Sequence, residues 1–213
     1  MISTVTQEQF LSSDEIDQLV ELIESNNPAV AYIDEDGVWK DKGLVANLHG
    51  WTWTDPKMLL VKQKLEMALQ PWLGEFVVEK AHLLDAQLPW AVHNDYEIRC
   101  SELSTPPQAV VIIPIEDADS NTIVFHQGAP YSEFKRYREE NPPLREHIPG
   151  KIWNQYLSHC WKKDQFWLTI DRLFPWKKGA LCLFDRQTWH ASDSFHTHIH
   201  SKRAIVLFTN WVA

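Results

Sequence analysis

With 213 residues, of which 44% are hydrophobic and 23% charged, the chain has an ordinary globular composition, and this excludes a disordered or fibrous protein. A formal net charge of −9 disfavours binding to the nucleic-acid backbone, which requires clustered Lys and Arg. We expect a cytoplasmic protein, since the sequence shows no signal peptide and no apolar run of membrane length, and its three cysteines include no CxxC pair.

Two helices are predicted in the first third of the chain. Ser12 and Glu15 have the spacing of a capping box, and apolar residues then recur at helical intervals. A second helix is predicted to begin near Pro56, because proline favours the first helical positions, and to end at Pro71 and Gly74. Residues 1–74 are therefore expected to form a helical support.

Short β-rich segments dominate from residue 75 onwards. They are EFVVEKAHLL, PWAVHNDYEI, QAVVIIPI, NTIVF, ALCLFD and AIVLFTNW, and clusters of Pro, Asp, Asn and Ser separate them. This pattern predicts an all-β sandwich or barrel. A polar, aromatic and helix-like insertion interrupts it at about residues 130–175, and such a segment serves either as a lid or as a cap. We expect one domain over residues 1–213, with residues 75–213 as its core.

The string Trp90-Ala91-Val92-His93-Asn94-Asp95-Tyr96-Glu97 contains an HxD pair. In a strand, alternate side chains share a face, so His93 and Asp95 would point the same way and offer two ligands to a metal ion. His190 follows the apolar string LCLF, where a strand end would present it as a third ligand. Two His and one carboxylate on one triangular face leave the opposite positions of Fe(II) open.

Arg203 opens the run RAIVLFTNW, thirteen residues after His190. In a strand it would share a face with Ile205, Leu207 and Thr209. A guanidinium on an inward apolar face requires a carboxylate partner, whereas at the mouth of the strand it would be exposed to solvent.

A rival metal site is offered by the alternating residues His196, His198 and His200. Three His on one face of a straight strand can bind zinc or copper. The flanking Ser and Lys indicate a loop instead. His196 could also replace His190 as the third ligand, but Arg203 would then follow it too soon.

Together, His93, Asp95, His190 and Arg203 resemble the motif of the Fe(II)/2-oxoglutarate-dependent oxygenase superfamily, and NTIVF and KKGALCLFDRQTWHAS are similar to strings of its prolyl-hydroxylase-like and phytanoyl-type members. The resemblance covers roughly residues 77–128 and 176–211. It implies a mainly β fold with flanking helices: a double-stranded β-helix (cupin-like jelly roll) core, N-terminal helices and a helical insertion.

The resemblance also implies a chemistry. The metal ligands of Fe(II) would be His93, Asp95 and His190, and Arg203 would bind the distal carboxylate of the co-substrate 2-oxoglutarate. The enzyme would use O₂, release succinate and CO₂, and hydroxylate a small molecule, an amino acid or a peptide side chain. Since Asp95 is retained, halogenation is disfavoured. The alternative is a cupin-like metal-binding module or isomerase that does not use 2-oxoglutarate.

The secondary contacts to the co-substrate depart from the pattern of the superfamily. Ile205 stands where many members have Ser, and Leu84 stands at a common Tyr position. His82 and Thr122 are the candidates that would replace those contacts. The substrate is not indicated by any motif, although eleven Trp, among them Trp153, Trp161, Trp167 and Trp189, suggest either a large core or an aromatic pocket wall.

Overall fold

The computed structural model of the chain describes residues 2–25, 43–47, 56–95, 107–128, 136 and 147–212. They form two antiparallel sheets stacked as a jelly roll, with two helices against the outer face of the larger sheet. The mainly β fold expected from the sequence is confirmed. The expectation that residues 1–213 make a single domain stays a prediction.

The N-terminal helices begin and end close to where the sequence predicts. Helix α1 spans Ser13–Ser25, and its capping box is formed: Glu15 Oε2 accepts a hydrogen bond from Ser12 N at 2.8 Å, and Ser12 Oγ accepts one from Glu15 N at 3.3 Å. Helix α2 spans Pro56–Leu73, so Pro71 lies within its last turn and does not end it. Helix α2 is terminated by Gly74, whose φ of 67° is a conformation that only glycine adopts readily. No helix in the described ranges is long and apolar enough to cross a membrane.

Nine strands build the two sheets. They are β1 (Val5–Gln7), β2 (Gly43–Asn47), β3 (Phe76–Ala86), β4 (Pro107–Pro114), β5 (Asn121–Gly128), β6 (Ile170–Pro175), β7 (Leu181–Asp185), β8 (Thr188–Ser192) and β9 (Lys202–Trp211). The larger sheet has the order β1-β7-β4-β9-β3-β2, and the smaller sheet has the order β6-β5-β8. An isolated bridge joins His93 to His190 and extends the smaller sheet beyond β8.

Both faces of the larger sheet are buried. One face packs against α1 and α2 in the helix-side cluster, which includes Ile16, Leu69, Leu83, Ile205 and Leu207. The other face meets the smaller sheet in the interior cluster, which includes Ile112, Val124, Cys182, Phe184 and Val206. Cys182 is fully buried there. Side chains that alternate along a central strand such as β9 therefore enter two different apolar layers.

The insertion is shorter than the sequence suggests, and its described part is a cap. Residues 170–175 form β6 of the smaller sheet, so the insertion ends before residue 170. Helix α3 (Gly150–Tyr156) and the 3₁₀ turn Lys162–Phe166 precede it, and Trp153 of α3 is buried against the outer face of the smaller sheet in the outer cluster. Most of residues 129–146 lie outside the described ranges.

Gly179 joins the larger sheet to the entrance of α1. Its carbonyl accepts hydrogen bonds from Phe10 N and Leu11 N at 3.0 and 2.9 Å, its φ is 76°, and an added Cβ would lie 2.1 Å from the carbonyl oxygen of Leu11. We expect Gly179→Ala to lower the free energy of unfolding by about 3 kcal/mol or more, because it adds a backbone overlap to left-handed strain. Urea unfolding measures this loss.

The matched control is Gly74→Ala. Gly74 has a similar φ of 67°, but an added Cβ would have nothing within 4 Å. This variant is expected to lose only about 1–2 kcal/mol, the conformational cost alone. Equal losses for the two variants would contradict the steric role of Gly179.

Candidate metal centre

The HxD segment is hydrogen-bonded to β8 directly opposite His190. His93 N donates to His190 O at 3.0 Å, and His190 N donates to His93 O at 2.8 Å. Residues paired across antiparallel strands project side chains to the same face, and the two imidazole rings lie 4.2 Å apart between centroids. His190 itself lies inside β8, a strand of its own that follows a two-residue turn at Arg186 and Gln187.

Asp95 completes a group of three ligands. His190 Nε2 lies 3.4 Å from Asp95 Oδ2, and His93 Nε2 lies 4.0 Å from Asp95 Oδ1. One ligand atom from each of the three residues lies within 4.8 Å of the others. Nitrogen and oxygen ligands placed about 2.1 Å from one ion are about 3–4 Å apart, so the three side chains can share a single divalent metal.

Backbone carbonyls fix which nitrogen of each imidazole faces the centre. His93 Nδ1 lies 2.7 Å from Ala91 O, and His190 Nδ1 lies 3.2 Å from Thr188 O. A proton on Nδ1 satisfies these carbonyls and leaves the lone pair of Nε2 for a metal. Burial, supported by the neighbouring His93, lowers the pKa of His190 to about 4, so this imidazole is neutral near pH 7, the form that binds metals.

Among the three side chains, that of His93 is the most exposed. The side chain of His93 is 33% exposed, whereas those of Asp95 and His190 are 8% exposed. Three protein ligands on one face with solvent access on the other is the arrangement of the 2-His-1-carboxylate iron sites.

The rival cluster does not form a metal site within the described ranges. A 3₁₀ turn over Phe195–Thr197 interrupts the alternation of His196, His198 and His200. His198 Nε2 instead donates to Asp119 O at 2.6 Å. Among the described residues, the group that the structure brings together and that could hold a metal ion is His93, Asp95 and His190.

Arg203 lies on the face of β9 that packs against the helices. It is paired with Asp85 of β3, and its neighbours on that face, Ile205 and Leu207, belong to the helix-side cluster. Its backbone N donates to Glu116 Oε1 at 3.1 Å. Burial raises the pKa of Glu116, and the positive charge of Arg203 opposes that rise. The guanidinium is therefore near the carboxylate of Glu116 as well as opposite Asp85. Its side chain does not share the interior face with the metal ligands.

Lys202, one residue earlier, is the basic residue on the interior face. Its side chain is fully buried, and Nζ donates to Ser120 Oγ at 3.1 Å and to Asn121 O at 3.3 Å. The ammonium lies 4.1 Å from the centroid of the Trp176 ring. Ser120 in turn donates to Asp193 Oδ1 at 2.7 Å. Burial lowers the pKa of Lys202 to about 7, and the charge of Asp193 opposes that shift.

Sequence reasoning missed Lys202 because both faces of β9 are apolar. The residues that share its face are Ala204, Val206 and Phe208, and those that share the face of Arg203 are Ile205 and Leu207. Strand alternation separates the two basic residues without showing which one points inward. The one signal in the sequence was the start of the strand. β9 begins at Lys202, one residue before the run RAIVLFTNW, so Lys202 is itself a strand residue.

His82 and Thr122 both lie on interior faces. Thr122 of β5 is buried, is paired with Ser192 of β8, and shares its face with Val124 of the interior cluster, which is paired with His190. His82 of β3 is buried, is paired with Val206 and contacts the ring of Phe208 edge-on at 5.5 Å. The structure thus places both side chains on the same side of their sheets as the metal ligands.

Trp189 does not line the metal centre. It precedes His190 in β8, points to the opposite face and is buried with Trp153 in the outer cluster; Trp167 is partly buried against the same cluster. Trp161 is 64% exposed. Within the described part of the chain, these tryptophans belong to the cap or the surface, and the idea that they form a pocket wall is not supported.

The fold of the chain is similar to that of several solved structures. A "non-heme alpha ketoglutarate dependent carbocyclase SnoK from nogalamycin biosynthesis" matches with a TM-score of 0.58 at 16% identity, over 98% of this chain and 79% of that one. EctD from S. alaskensis, solved with 2-oxoglutarate and 5-hydroxyectoine, matches with 0.58 at 14% identity, over 98% and 72%. A Pseudomonas putida prolyl-4-hydroxylase matches with 0.51 at 10% identity, over 100% and 95%.

No family model matches the chain, and no curated protein matches it significantly. At 10–16% identity, the structural matches establish the fold. The chain therefore has the jelly-roll fold of these solved structures, the double-stranded β-helix that the sequence resemblance implies, and it carries a His-Asp-His group that could hold a metal ion.

Proposed function

We propose that this chain is an Fe(II)- and 2-oxoglutarate-dependent oxygenase in which His93, Asp95 and His190 bind the metal. The observation that carries the proposal is the convergence of the three ligands in the same interior that holds the buried ammonium of Lys202. The carboxylate of Asp193 is reached from Lys202 through Ser120, and a dicarboxylate co-substrate would give the buried ammonium a second anionic partner in direct contact. Fe(II) and 2-oxoglutarate, when bound, supply the activation of O₂, with succinate and CO₂ as products.

Lys202, rather than Arg203, is the residue that we assign to the distal carboxylate of 2-oxoglutarate. Its hydrogen bond to Asn121 O anchors Nζ beside Asp193, whose N–H donates to the same carbonyl at 3.0 Å. Asp193 lies three residues beyond His190, which corresponds to roughly 10 Å along an extended strand. A five-carbon diacid that chelates the metal at one end would extend toward Lys202 at the other.

The other side chains of the interior have supporting roles in this proposal. Thr122 lies beside Ser192 on the path between His190 and Lys202 and is proposed to donate its hydroxyl proton to the co-substrate. His82 faces the same interior from the opposite sheet and remains a candidate contact. The apolar interior cluster, with Val124, Phe184 and Val206, excludes water from the ionic contact and so strengthens it.

The reaction outcome is proposed as hydroxylation of a small molecule, an amino acid or a peptide side chain. Asp95 keeps a carboxylate in the ligand set, which disfavours halogenation. The net charge of −9 disfavours a nucleic-acid substrate. The similar structures include a carbocyclase and a prolyl-4-hydroxylase, so the fold accommodates more than one outcome.

The test of this proposal is co-substrate turnover. The purified protein, incubated with Fe(II), O₂ and 2-oxoglutarate, is expected to release succinate, and omission of any one of the three is expected to stop the release. A cupin-like module or isomerase would bind metal and leave 2-oxoglutarate intact. Asp95→Ala is the inactive control.

The depressed pKa of Lys202 predicts that 2-oxoglutarate binding depends on pH. Only the protonated amine attracts the distal carboxylate, and burial lowers the pKa of Lys202 to about 7. We expect the Kd of 2-oxoglutarate to rise as the pH increases above about 7, by up to about tenfold per pH unit. Calorimetric titration of the Mn(II)-loaded protein between pH 7 and 9 measures this, and His190, with a pKa of about 4, stays neutral over that range. A constant Kd would contradict the role of Lys202.

A further inference from the structure

Arg186 contacts both backbone groups of the metal ligand Asp95. Asp95 N donates to Arg186 O at 3.1 Å, and Arg186 Nη2 donates to Asp95 O at 3.2 Å. Arg186 occupies the two-residue turn between β7 and β8, four residues before His190. The HxD segment is thereby held to the β7–β8 hairpin at two points, the His93–His190 bridge and the Asp95–Arg186 pair.

The guanidinium is itself held by two further strands. Arg186 Nη1 donates to Glu79 Oε2 at 2.6 Å and to Asn210 Oδ1 at 2.9 Å, and the carbon centre of the group lies 5.5 Å from the Phe208 ring centroid. The side chain of Arg186 is only 3% exposed. A rigid planar group with several directed donors loses little freedom when it bridges fixed partners.

A β-bulge brings Glu79 to this position. The register between β3 and β9 shifts between Val78 and Lys80, so Glu79 is the extra residue on β3. A bulge redirects one side chain, and bulges are enriched next to active sites. Without the shift, Glu79 would follow the regular alternation of β3, and its carboxylate would lose the place from which it fixes Arg186.

We propose that Arg186 is a positioning residue, which holds the carboxylate of Asp95 in the orientation required for metal binding through a hydrogen bond to the backbone carbonyl of that residue. Glu79 and Asn210 orient the guanidinium for this contact. The inference rests on the proposed metal site, and it assigns to Arg186 no contact with substrate or co-substrate.

The test is the affinity of the purified protein for Co(II), measured anaerobically by calorimetry and by the visible spectrum of the bound ion, which reports the ligand geometry. Arg186→Met is expected to lower the affinity for Co(II) by about 10–100-fold, which is the usual effect of removing a group that orients a metal ligand. Lys151→Met, which removes an exposed cation of α3 on the outer side of the smaller sheet, is the control and is expected to bind Co(II) as the wild type does.

The double variant Glu79→Gln/Arg186→Met separates positioning from charge compensation. Arg186→Met alone leaves the mostly buried Glu79 without its cation, which lowers the unfolding temperature. Neutralising Glu79 as well is expected to recover much of that loss, while the affinity for Co(II) stays at least about 10-fold weaker than in the wild type. Wild-type affinity and an unchanged spectrum in the double variant would overturn the inference.

Arg186→Lys keeps the test decisive if the Met variants fail to fold. Lysine preserves a positive charge beside Glu79 but cannot reach Glu79, Asn210 and Asp95 O together. We expect an unfolding temperature near that of the wild type, an affinity for Co(II) about 10-fold weaker and an altered Co(II) spectrum. If Arg186→Lys binds Co(II) as the wild type does, the positioning role of Arg186 is contradicted while the proposed metal site stands. If the wild-type protein itself binds no Co(II), both the metal site and this inference are contradicted.

Discussion

Lys202→Met is expected to abolish measurable 2-oxoglutarate binding while leaving metal affinity unchanged. Removing one member of a buried, hydrogen-bonded charge pair costs about 2–5 kcal/mol, which corresponds to a loss of about 30-fold to several thousandfold in affinity. The metal ligands lie in another part of the interior and keep their hydrogen bonds to Ala91 and Thr188. Calorimetry with Mn(II), with and without 2-oxoglutarate, measures both affinities on the same protein.

Arg203→Met is the matched control, because it removes a cation from the adjacent position on the opposite face of β9. Arg203 is paired with Asp85 and is near Glu116, so its removal is expected to lower stability and to leave the Kd of 2-oxoglutarate within about twofold of the wild type. If Arg203→Met weakened the binding of 2-oxoglutarate and Lys202→Met did not, the distal carboxylate would be bound by Arg203, as the sequence suggests. The assignment of Lys202 would then be wrong.

The pH dependence of the free energy of unfolding provides an independent test of the buried charge of Lys202. Its pKa of about 7 in the folded protein lies below the ordinary value of 10.5, so between those pH values the unfolded chain binds more protons than the folded chain. The free energy of unfolding therefore rises with pH across that interval, and below about pH 7 the buried ammonium opposes folding fully. Lys202→Met is expected to unfold at a temperature equal to or above that of the wild type at pH 7, which rules out misfolding as the cause of lost binding.

His190→Ala is expected to remove metal binding and turnover together. His190 is the more buried of the two imidazoles, its Nε2 lies 3.4 Å from Asp95 Oδ2, and its backbone pairs with that of His93. The loss of a direct ligand should exceed the roughly 10–100-fold effect of removing an orienting group, so the Kd of Fe(II) should rise more than about 100-fold. Anaerobic Fe(II) titration and succinate release measure the two consequences.

His198→Ala is the control for the rival cluster. His198 is partly exposed and hydrogen-bonded to the backbone of Asp119, away from the three ligands. It is expected to retain iron affinity and turnover. If His198→Ala lost iron binding and His190→Ala retained it, the metal site would be the rival cluster of His196, His198 and His200.

The metal ligands could be predicted from the sequence because each had a local signal. The HxD pair needs only strand alternation, and His190 follows an apolar strand that had to be buried. What the sequence could not show is the pairing that joins them. The bridge between His93 and His190 connects residues 97 positions apart, and only the closure of the jelly roll brings them together.

The face on which Arg203 lies could not be predicted, for a physical reason that the sequence does not contain. Alternation tells which residues of β9 share a face, but both faces are buried, one by the helices and one by the smaller sheet. The positions of α1 and α2 decide which face is the interior. The end of the insertion was misjudged similarly, because β6 gains its strand character from pairing with β5 rather than from its own sequence, IDRLFP.

The most direct test of the whole account is anaerobic addition of Fe(II) and then 2-oxoglutarate, followed by ultraviolet–visible spectroscopy. The account predicts a metal-to-ligand charge-transfer band that requires both components, disappears in His190→Ala and Asp95→Ala, and fails to form at comparable 2-oxoglutarate concentrations in Lys202→Met. A protein that binds Fe(II) tightly and shows no such band at saturating 2-oxoglutarate would contradict it.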